Sequence, residues 1–235
     1  MKILALDSSG LVASVAVVTE ETVLAEYTVN YKKTHSQTLL PMLEEITRMI
    51  EMELSEIDAV AVAAGPGSFT GLRIGSATAK GLGLALKKPI LAVPTLDALA
   101  YNLYGTDRLI CPMMDARRDQ VYTGLYEFVG KEFRIVRQQE AVAVEEIIEV
   151  VNSLGREVIL LGDGVDAQKN TIEEKLKVAY FYAPAHLNRQ RAGAIGALGT
   201  EYYRQGRVET AAEHEPVYLR LSQAERERAE KSGRE

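Results

Sequence analysis

Gly65-Pro66-Gly67-Ser68-Phe69-Thr70-Gly71-Leu72-Arg73-Ile74-Gly75 is the stretch on which the fold turns. Ahead of it, Ile57 to Ala64 becomes small and β-branched, the pattern of a buried strand. Gly65-Pro66-Gly67 ends that strand, and Ser68 or Thr70 offers a hydroxyl oxygen to cap the next helix. Thr70 to Leu86 has helical length, with Lys87-Lys88 where the helix dipole favours cations and Pro89 just beyond. Gly71, Gly75, Gly81 and Gly83 lie inside this helix, and each interior glycine costs roughly 0.5–1 kcal/mol relative to alanine. Gly71, Gly75, Ala79 and Gly83 recur every fourth residue and form one stripe without bulk. Ala77, Gly81 and Ala85 form a second stripe beside it. Such a face admits another backbone: the sheet beneath, a neighbouring helix, or a helix of another subunit. The small residues wrap so far round the helix that their spacing favours the last two together.

Upstream, Lys2 to Leu6 is a short apolar strand ending in Asp7-Ser8-Ser9-Gly10. Val12 to Val18 and Thr22 to Val29 alternate about a polar turn, which predicts a hairpin. A helix is predicted over Thr34 to Met52, with Leu39, Leu43, Ile46 and Ile50 on one face and Pro41 either starting or kinking it. Downstream, Ile90 to Val93 reads as a strand and Thr95 to Tyr104 as a helix. The arrangement then recurs. Leu109 to Met114 ends in Asp115 as the first strand ended in Asp7, an offset of about 108 residues. Gln120 to Phe128 and Glu132 to Glu140 form a second hairpin. Val144 to Ser153, Asp166 to Leu176 and Arg191 to Gln205 are predicted helices; Glu157 to Leu161 and Val178 to Tyr182 are predicted strands, with Gly162-Asp163-Gly164 a tight turn.

The chain has 235 residues, 47% of them hydrophobic and 26% charged, with a net charge of −6. These are the proportions of an ordinary globular protein. No run of about eighteen apolar residues suggests a membrane span, and Met1 to Asp7 reaches an acidic residue too early for a signal peptide. Cytoplasm is the expectation. Cys111 is the single cysteine, so a disulfide framework and a thiolate metal cage are both excluded. An acidic chain holds nucleic acid poorly by itself. A role in a nucleic-acid reaction would therefore run beside a better-charged partner.

An Asp turn after a first strand, two further antiparallel strands, then alternating helix and strand, all in duplicate, resembles the actin, sugar-kinase and Hsp70-type ATPase superfamily. Ala5-Leu6-Asp7-Ser8-Ser9, His35-Ser36-Gln37-Thr38-Leu39-Leu40-Pro41, Gly65 to Gly75, Met114-Asp115-Ala116-Arg117-Arg118 with Val121-Tyr122, and Glu215-Pro216-Val217-Tyr218-Leu219-Arg220 narrow the likeness. In that order they resemble the bacterial TsaB (YeaZ) family. The resemblance implies an α/β protein with the actin-like ATPase (ribonuclease H-like) fold, two lobes with mixed sheets flanked by helices, the second lobe reduced. Residues 1–105 would form the first lobe and carry the dimerisation helices. Residues 106–220 would form the second, its last helix packing back toward the first, with 221–235 a frayed, charged tail.

The same resemblance implies a non-catalytic subunit that pairs with TsaD for threonylcarbamoyl transfer to N6 of adenosine 37 in tRNAs reading codons that begin with A. It implies a homodimer when TsaD is absent, TsaE as a third partner, and tRNA reached through the complex. It places the interface on His35, Leu39, Leu43, Gly71, Arg73, Ile74, Gly75, Thr78, Ala79, Leu82 and Gly83. No cofactor is expected on the chain alone; ATP or ADP is expected at the interface with TsaD or supplied through TsaE.

The chemistry on offer is sparse, and no catalytic residue is expected. The catalytic relatives hold a metal on a His-x-x-x-His helix, which puts two imidazoles one turn apart. Here the histidines are His35, His186 and His214, and Leu39 stands four residues after His35. That argues against a metal site and against a glycoprotease-like peptidase. A stand-alone ATP-dependent kinase of the same superfamily is the alternative. Asp7, Ser9, Asp115, Arg117, Arg118, Gly162 and Gly164 are candidate remnants of nucleotide or anion binding. Against this, Ser8 and Ser9 stand where a phosphate loop prefers glycine, and Pro66 removes an amide from the other glycine turn.

Overall fold

The computed structural model describes residues 1–31 and 35–220. Thr34, at the expected start of the first helix, and the expected frayed tail from 221 lie outside the described residues. The first half comprises β1 (Lys2–Asp7), β2 (Ala13–Thr19), β3 (Val23–Val29), α1 (His35–Met49), β4 (Ala59–Gly65), α2 (Phe69–Leu86), β5 (Ile90–Pro94) and α3 (Thr95–Tyr101). The second comprises β6 (Leu109–Arg117), β7 (Gln120–Val129), β8 (Glu132–Ala143), α4 (Val144–Leu154), β9 (Val158–Leu161), α5 (Asp163–Ala167), α6 (Lys169–Lys175), β10 (Tyr180–Tyr182) and α7 (Ala192–Arg204).

Each half builds one five-stranded sheet, in the orders β3-β2-β1-β4-β5 and β8-β7-β6-β9-β10. The two orders are the same topology repeated. In each, the first strand pairs antiparallel with the second and parallel with the fourth. Central strands covered on both faces need continuous apolar sequence, which is why Ala59-Val60-Ala61-Val62-Ala63-Ala64 is buried throughout. α1 and α2 lie together on one face of the first sheet, over Leu4, Leu6, Val15, Val17, Val60 and Val62. α1 runs through Pro41, whose ring is exposed.

The second lobe is reduced in its helices rather than its strands. Where the first lobe has the 18-residue α2, the second has α5 of 5 residues and α6 of 7. The single helix predicted over 166–176 is thus two, broken at Gln168, whose φ of −109° leaves the helical region. β10 is shorter than predicted because its pairing with β9 covers three residues, Tyr180 to Tyr182.

The halves exchange their last helices. α3 follows the first sheet yet sends Leu96, Leu99 and Ala100, with Leu103 of the turn after it, into a core with Ile110, Met114, Tyr126 and Phe128 of the second half. α7 follows the second sheet yet packs Ala192, Ile195, Leu198 and Tyr202 against Ile3, Ala5, Ala16 and Ala61 of the first. Buried Asp97 ties the crossing together: it accepts from Tyr126 Oη at 2.9 Å and Tyr202 Oη at 3.5 Å. Burial raises the Asp97 carboxyl above its ordinary value despite both bonds. The base of the molecule therefore joins the two halves through two apolar clusters bridged by Asp97. A cleft opens on the side where the two Asp-bearing strand ends face each other.

Candidate functional site

The glycine stripe of α2 meets the molecule's own first turn. A methyl on Gly71 would lie 2.0 Å from the Ser8 carbonyl oxygen, and one on Gly67 would lie 2.3 Å from the Ser9 carbonyl oxygen. A methyl on Gly75 would come within 2.6 Å of Ser8 Oγ, which itself donates to the Gly71 carbonyl at 2.8 Å. Gly83 faces the Lys88 carbonyl and Ile90, and Ala79 is fully buried. The stripe of Gly71, Gly75, Ala79 and Gly83 is thus used up by the sheet and turn beneath it. Expecting it to meet a partner is corrected on this ground: no second backbone can reach it. Leu39 and Leu43 are corrected likewise, since both are buried in the core under α1.

The second stripe takes the outer position. Arg73, Ala77, Gly81, Leu84 and Ala85 are exposed, and Ile74, Thr78 and Leu82 are half-buried beside them. Around Gly81 nothing lies within 4 Å of a would-be methyl. Leu84 is 68% exposed, and α1 adds Leu40 at 54% and Met49 at 68%. Exposed large apolar side chains on one pair of helices are a surface that water disfavours. His35 lies at the α1 start, half-buried, with Nε2 2.8 Å from the Gly10 carbonyl.

Between the lobes lies a cleft of about 640 Å³. Ser9, Gly10, Leu11 and Gly67 to Thr70 line it from the first lobe, and Met114 to Arg117, Tyr122 and Asp163 from the second. Tyr218, Leu219 and Arg220 complete the lining. The two strand-end aspartates keep matching turns: Asp7 Oδ1 accepts from Ser9 N at 2.9 Å, and Asp115 Oδ1 from Arg117 N at 2.7 Å. Asp7 also accepts from Ser9 Oγ at 2.7 Å. Its carboxyl is buried, which pushes it up to about 6, with the Ser9 bonds and the charge of His35 opposing the rise.

Of the candidate remnants, the cleft brings together Ser9, Asp115 and Arg117. Asp7 lies beneath the lining rather than in it. Gly162 and Gly164 are covered by β6: a methyl on Gly162 would lie 2.0 Å from the Met113 carbonyl oxygen. Their glycine identity serves that approach, leaving Asp163 between them to line the cleft and accept the Asp115 amide at 3.2 Å. Burial raises the Asp163 carboxyl. Arg118 does not line the cleft, because it sits in the β6–β7 hairpin turn. Arg117, Arg118 and Asp119 have φ of 61°, 56° and 57°, a left-handed turn that glycine or asparagine ordinarily supplies.

The α2 N-terminus is not a free phosphate cradle. Pro66 has no N–H, Ser68 N donates to the Ser9 carbonyl at 2.6 Å, and Gly71 N donates to Ser68 Oγ at 3.4 Å. The Ser68 and Gly71 amides are therefore engaged within the fold. Phe69, Tyr122, Asp163, Tyr218 and Arg220 stand in the sequence only as members of the quoted motifs, and nothing in their spacing marks them as lining one cleft.

Comparison with known proteins places this geometry. Over residues 22–228 the chain matches the family described as TsaD: tRNA N6-adenosine threonylcarbamoyltransferase. The tRNA threonylcarbamoyladenosine biosynthesis protein TsaB of Bacillus subtilis is 37% identical over 96% of this chain and 96% of its own. The chain belongs to the TsaB family. YeaZ from Pseudomonas aeruginosa superposes with a TM-score of 0.80 at 29% identity, over 93% of this chain and 99% of that one. A ROK hexokinase from Thermus thermophilus superposes with a TM-score of 0.50 at 12% identity, over 88% of this chain and all of that one; this likeness shows the fold alone. Among the described residues no helix is long and apolar enough to cross a membrane.

The two glycine positions of α2 respond oppositely to a methyl group. Gly→Ala in a helix normally stabilises by about 0.5–1 kcal/mol, and Gly81→Ala, which points into open space, will do so. Gly71→Ala will instead destabilise by about 1–3 kcal/mol, because its methyl meets a backbone oxygen that cannot swing away. Urea unfolding of the two variants checks the opposite signs. Asp7 makes stability depend on pH, since its carboxyl is held near 6 in the fold and near 3.8 when unfolded. The folded state favours its protonated form, so this group's contribution is present below about pH 4 and is lost as pH rises through about 6, by about 3 kcal/mol. Asp7→Asn keeps the acceptor without the charge. Its melting temperature will gain on the parent between pH 4 and 7, with the difference flat below pH 4.

Proposed function

We propose that this chain is the non-catalytic, partner-holding subunit for threonylcarbamoyl transfer to N6 of adenosine 37 in tRNAs reading codons that begin with A. It pairs with TsaD through the outer face of α1 and α2. The observation that carries the reading is the second stripe, Ala77, Gly81 and Ala85, lying outward on α2 with exposed Leu84, while α1 exposes Leu40 and Met49. Small residues let another helix come close, and large apolar ones reward it for doing so. In this proposal Arg73, Ile74, Thr78 and Leu82 border the interface, His35 stands at its α1 end, and the buried glycine stripe supports it from below.

The same face serves homodimerisation when TsaD is absent. TsaE joins the pair, and ATP or ADP is taken at the interface with TsaD or supplied through TsaE. Two features support leaving chemistry to the partner. No second histidine stands one turn from His35, and the Ser68 and Gly71 amides at the start of α2 are already engaged within the fold. The charge of −6 supports an indirect role with tRNA, whose phosphates an acidic chain repels. In this proposal the subunit acts in the cytoplasm.

The test is co-purification with TsaD. Leu84→Glu buries an unpaired charge if this face is the interface, and will weaken binding about tenfold or more with the melting temperature unchanged. Retention equal to the parent for both Leu84→Glu and Ala77→Glu would move the interface elsewhere. A parent chain that fails to bind TsaD and turns over ATP alone would favour the kinase reading.

A further inference from the structure

Residues 209–220 run back over the first lobe, antiparallel to α2. Glu209 exchanges both backbone bonds with Ile90, at 2.8 and 2.9 Å. Lys80 Nζ of α2 donates to the His214 carbonyl at 2.8 Å, and the His214 ring is buried with Nδ1 3.0 Å from Glu209 Oε2. Val217 N donates to the Ala64 carbonyl at 2.7 Å. The Val217 carbonyl lies where a methyl on Gly65 would be, 2.2 Å away, so only glycine allows the segment to pass. Tyr218 then packs on Phe69 at 4.7 Å between ring centres, with the Arg73 guanidinium 4.0 Å from the Phe69 ring.

All of these contacts are with the first lobe. Arg220 changes sides: its Nη1 donates to the Ala116 carbonyl at 2.6 Å, across the cleft. Among the described residues this is the hydrogen bond that joins the segment to the second lobe. Ala116 stands immediately before the left-handed Arg117-Arg118-Asp119 turn, so the bond grips a section of β6–β7 backbone already held in an unfavourable conformation. The base of the cleft is fixed by the exchanged helices α3 and α7. Its mouth is held by the end of the strap.

We propose that residues 217–220 are a latch: Tyr218 seats the strap on the first lobe, and Arg220 clasps the second lobe at Ala116, so that release of these two contacts opens the cleft about its buried base. A charge-assisted bond to one carbonyl, at a site open enough to line the cleft, is the kind of contact that makes and breaks without unfolding what it joins. The latch governs access to Ser9, Asp115 and Asp163. It does not depend on the subunit role proposed above.

Hydrogen exchange on the full chain tests it. Arg220→Ala will speed exchange of the Ser9, Ser68 and Arg117 amides by about tenfold, on both rims of the cleft, while β1 and β6 core amides keep their protection. Tyr218→Ala will do the same, and the double variant will add little, because both residues hold one latch. Arg220→Lys retains a cationic donor and will stay near the parent. Unchanged exchange on the second-lobe rim overturns the proposal, as does a rise shared evenly by the whole chain or an Arg220→Lys profile equal to Arg220→Ala.

Discussion

Two stretches of backbone meet with no side chain between them, and the rest of the molecule is arranged round that meeting. The carbonyls of Ser8 and Ser9 sit against Gly71 and Gly67 at distances that no Cβ could share. The approach fixes α2 against β1 and β4 and sets the rim of the cleft. It also engages the Ser68 amide at the start of α2. Interior glycines weaken a helix, and here the helix recovers that loss by lying closer to its sheet than a bulkier sequence permits. The same approach recurs in the second lobe, where Gly162 and Gly164 lie against Met113 and Met114.

The exchanged helices carry the consequence to the scale of the whole chain. α3 completes the second lobe's core and α7 the first lobe's, so each core needs residues from both halves. The lobes are joined firmly at the base and lightly at the mouth. The outer side of α1 and α2 stays exposed, and the cleft is left adjustable at its mouth. Gly65 belongs to both parts, since it ends β4 and gives passage to the strap that closes the cleft.

Much of this was legible in the residues. Alternation and apolar runs place the strands of both sheets, and the matching ends at Asp7 and Asp115 reveal the duplication, which the structure repeats down to the Asx bonds to Ser9 and Arg117. The direction of the glycine stripe was not legible. Spacing at every fourth residue says that something approaches closely, but a sheet and a partner helix demand the same spacing. Nor did Arg118-Asp119 announce a left-handed turn, because neither is glycine or asparagine. The strap lacks periodicity altogether; its meaning lies in contacts with residues more than a hundred positions away, such as Arg220 with Ala116.

The central claim is that α2 has an inner face spent on its own fold and an outer face kept for TsaD. Photo-crosslinking reads this directly. A photoreactive residue replacing Leu84 on α2, compared with one replacing Ile135 on the far edge strand β8, would be irradiated in a mixture with TsaD. The account predicts an adduct from position 84 and none from position 135. An adduct from position 135 alone would contradict it.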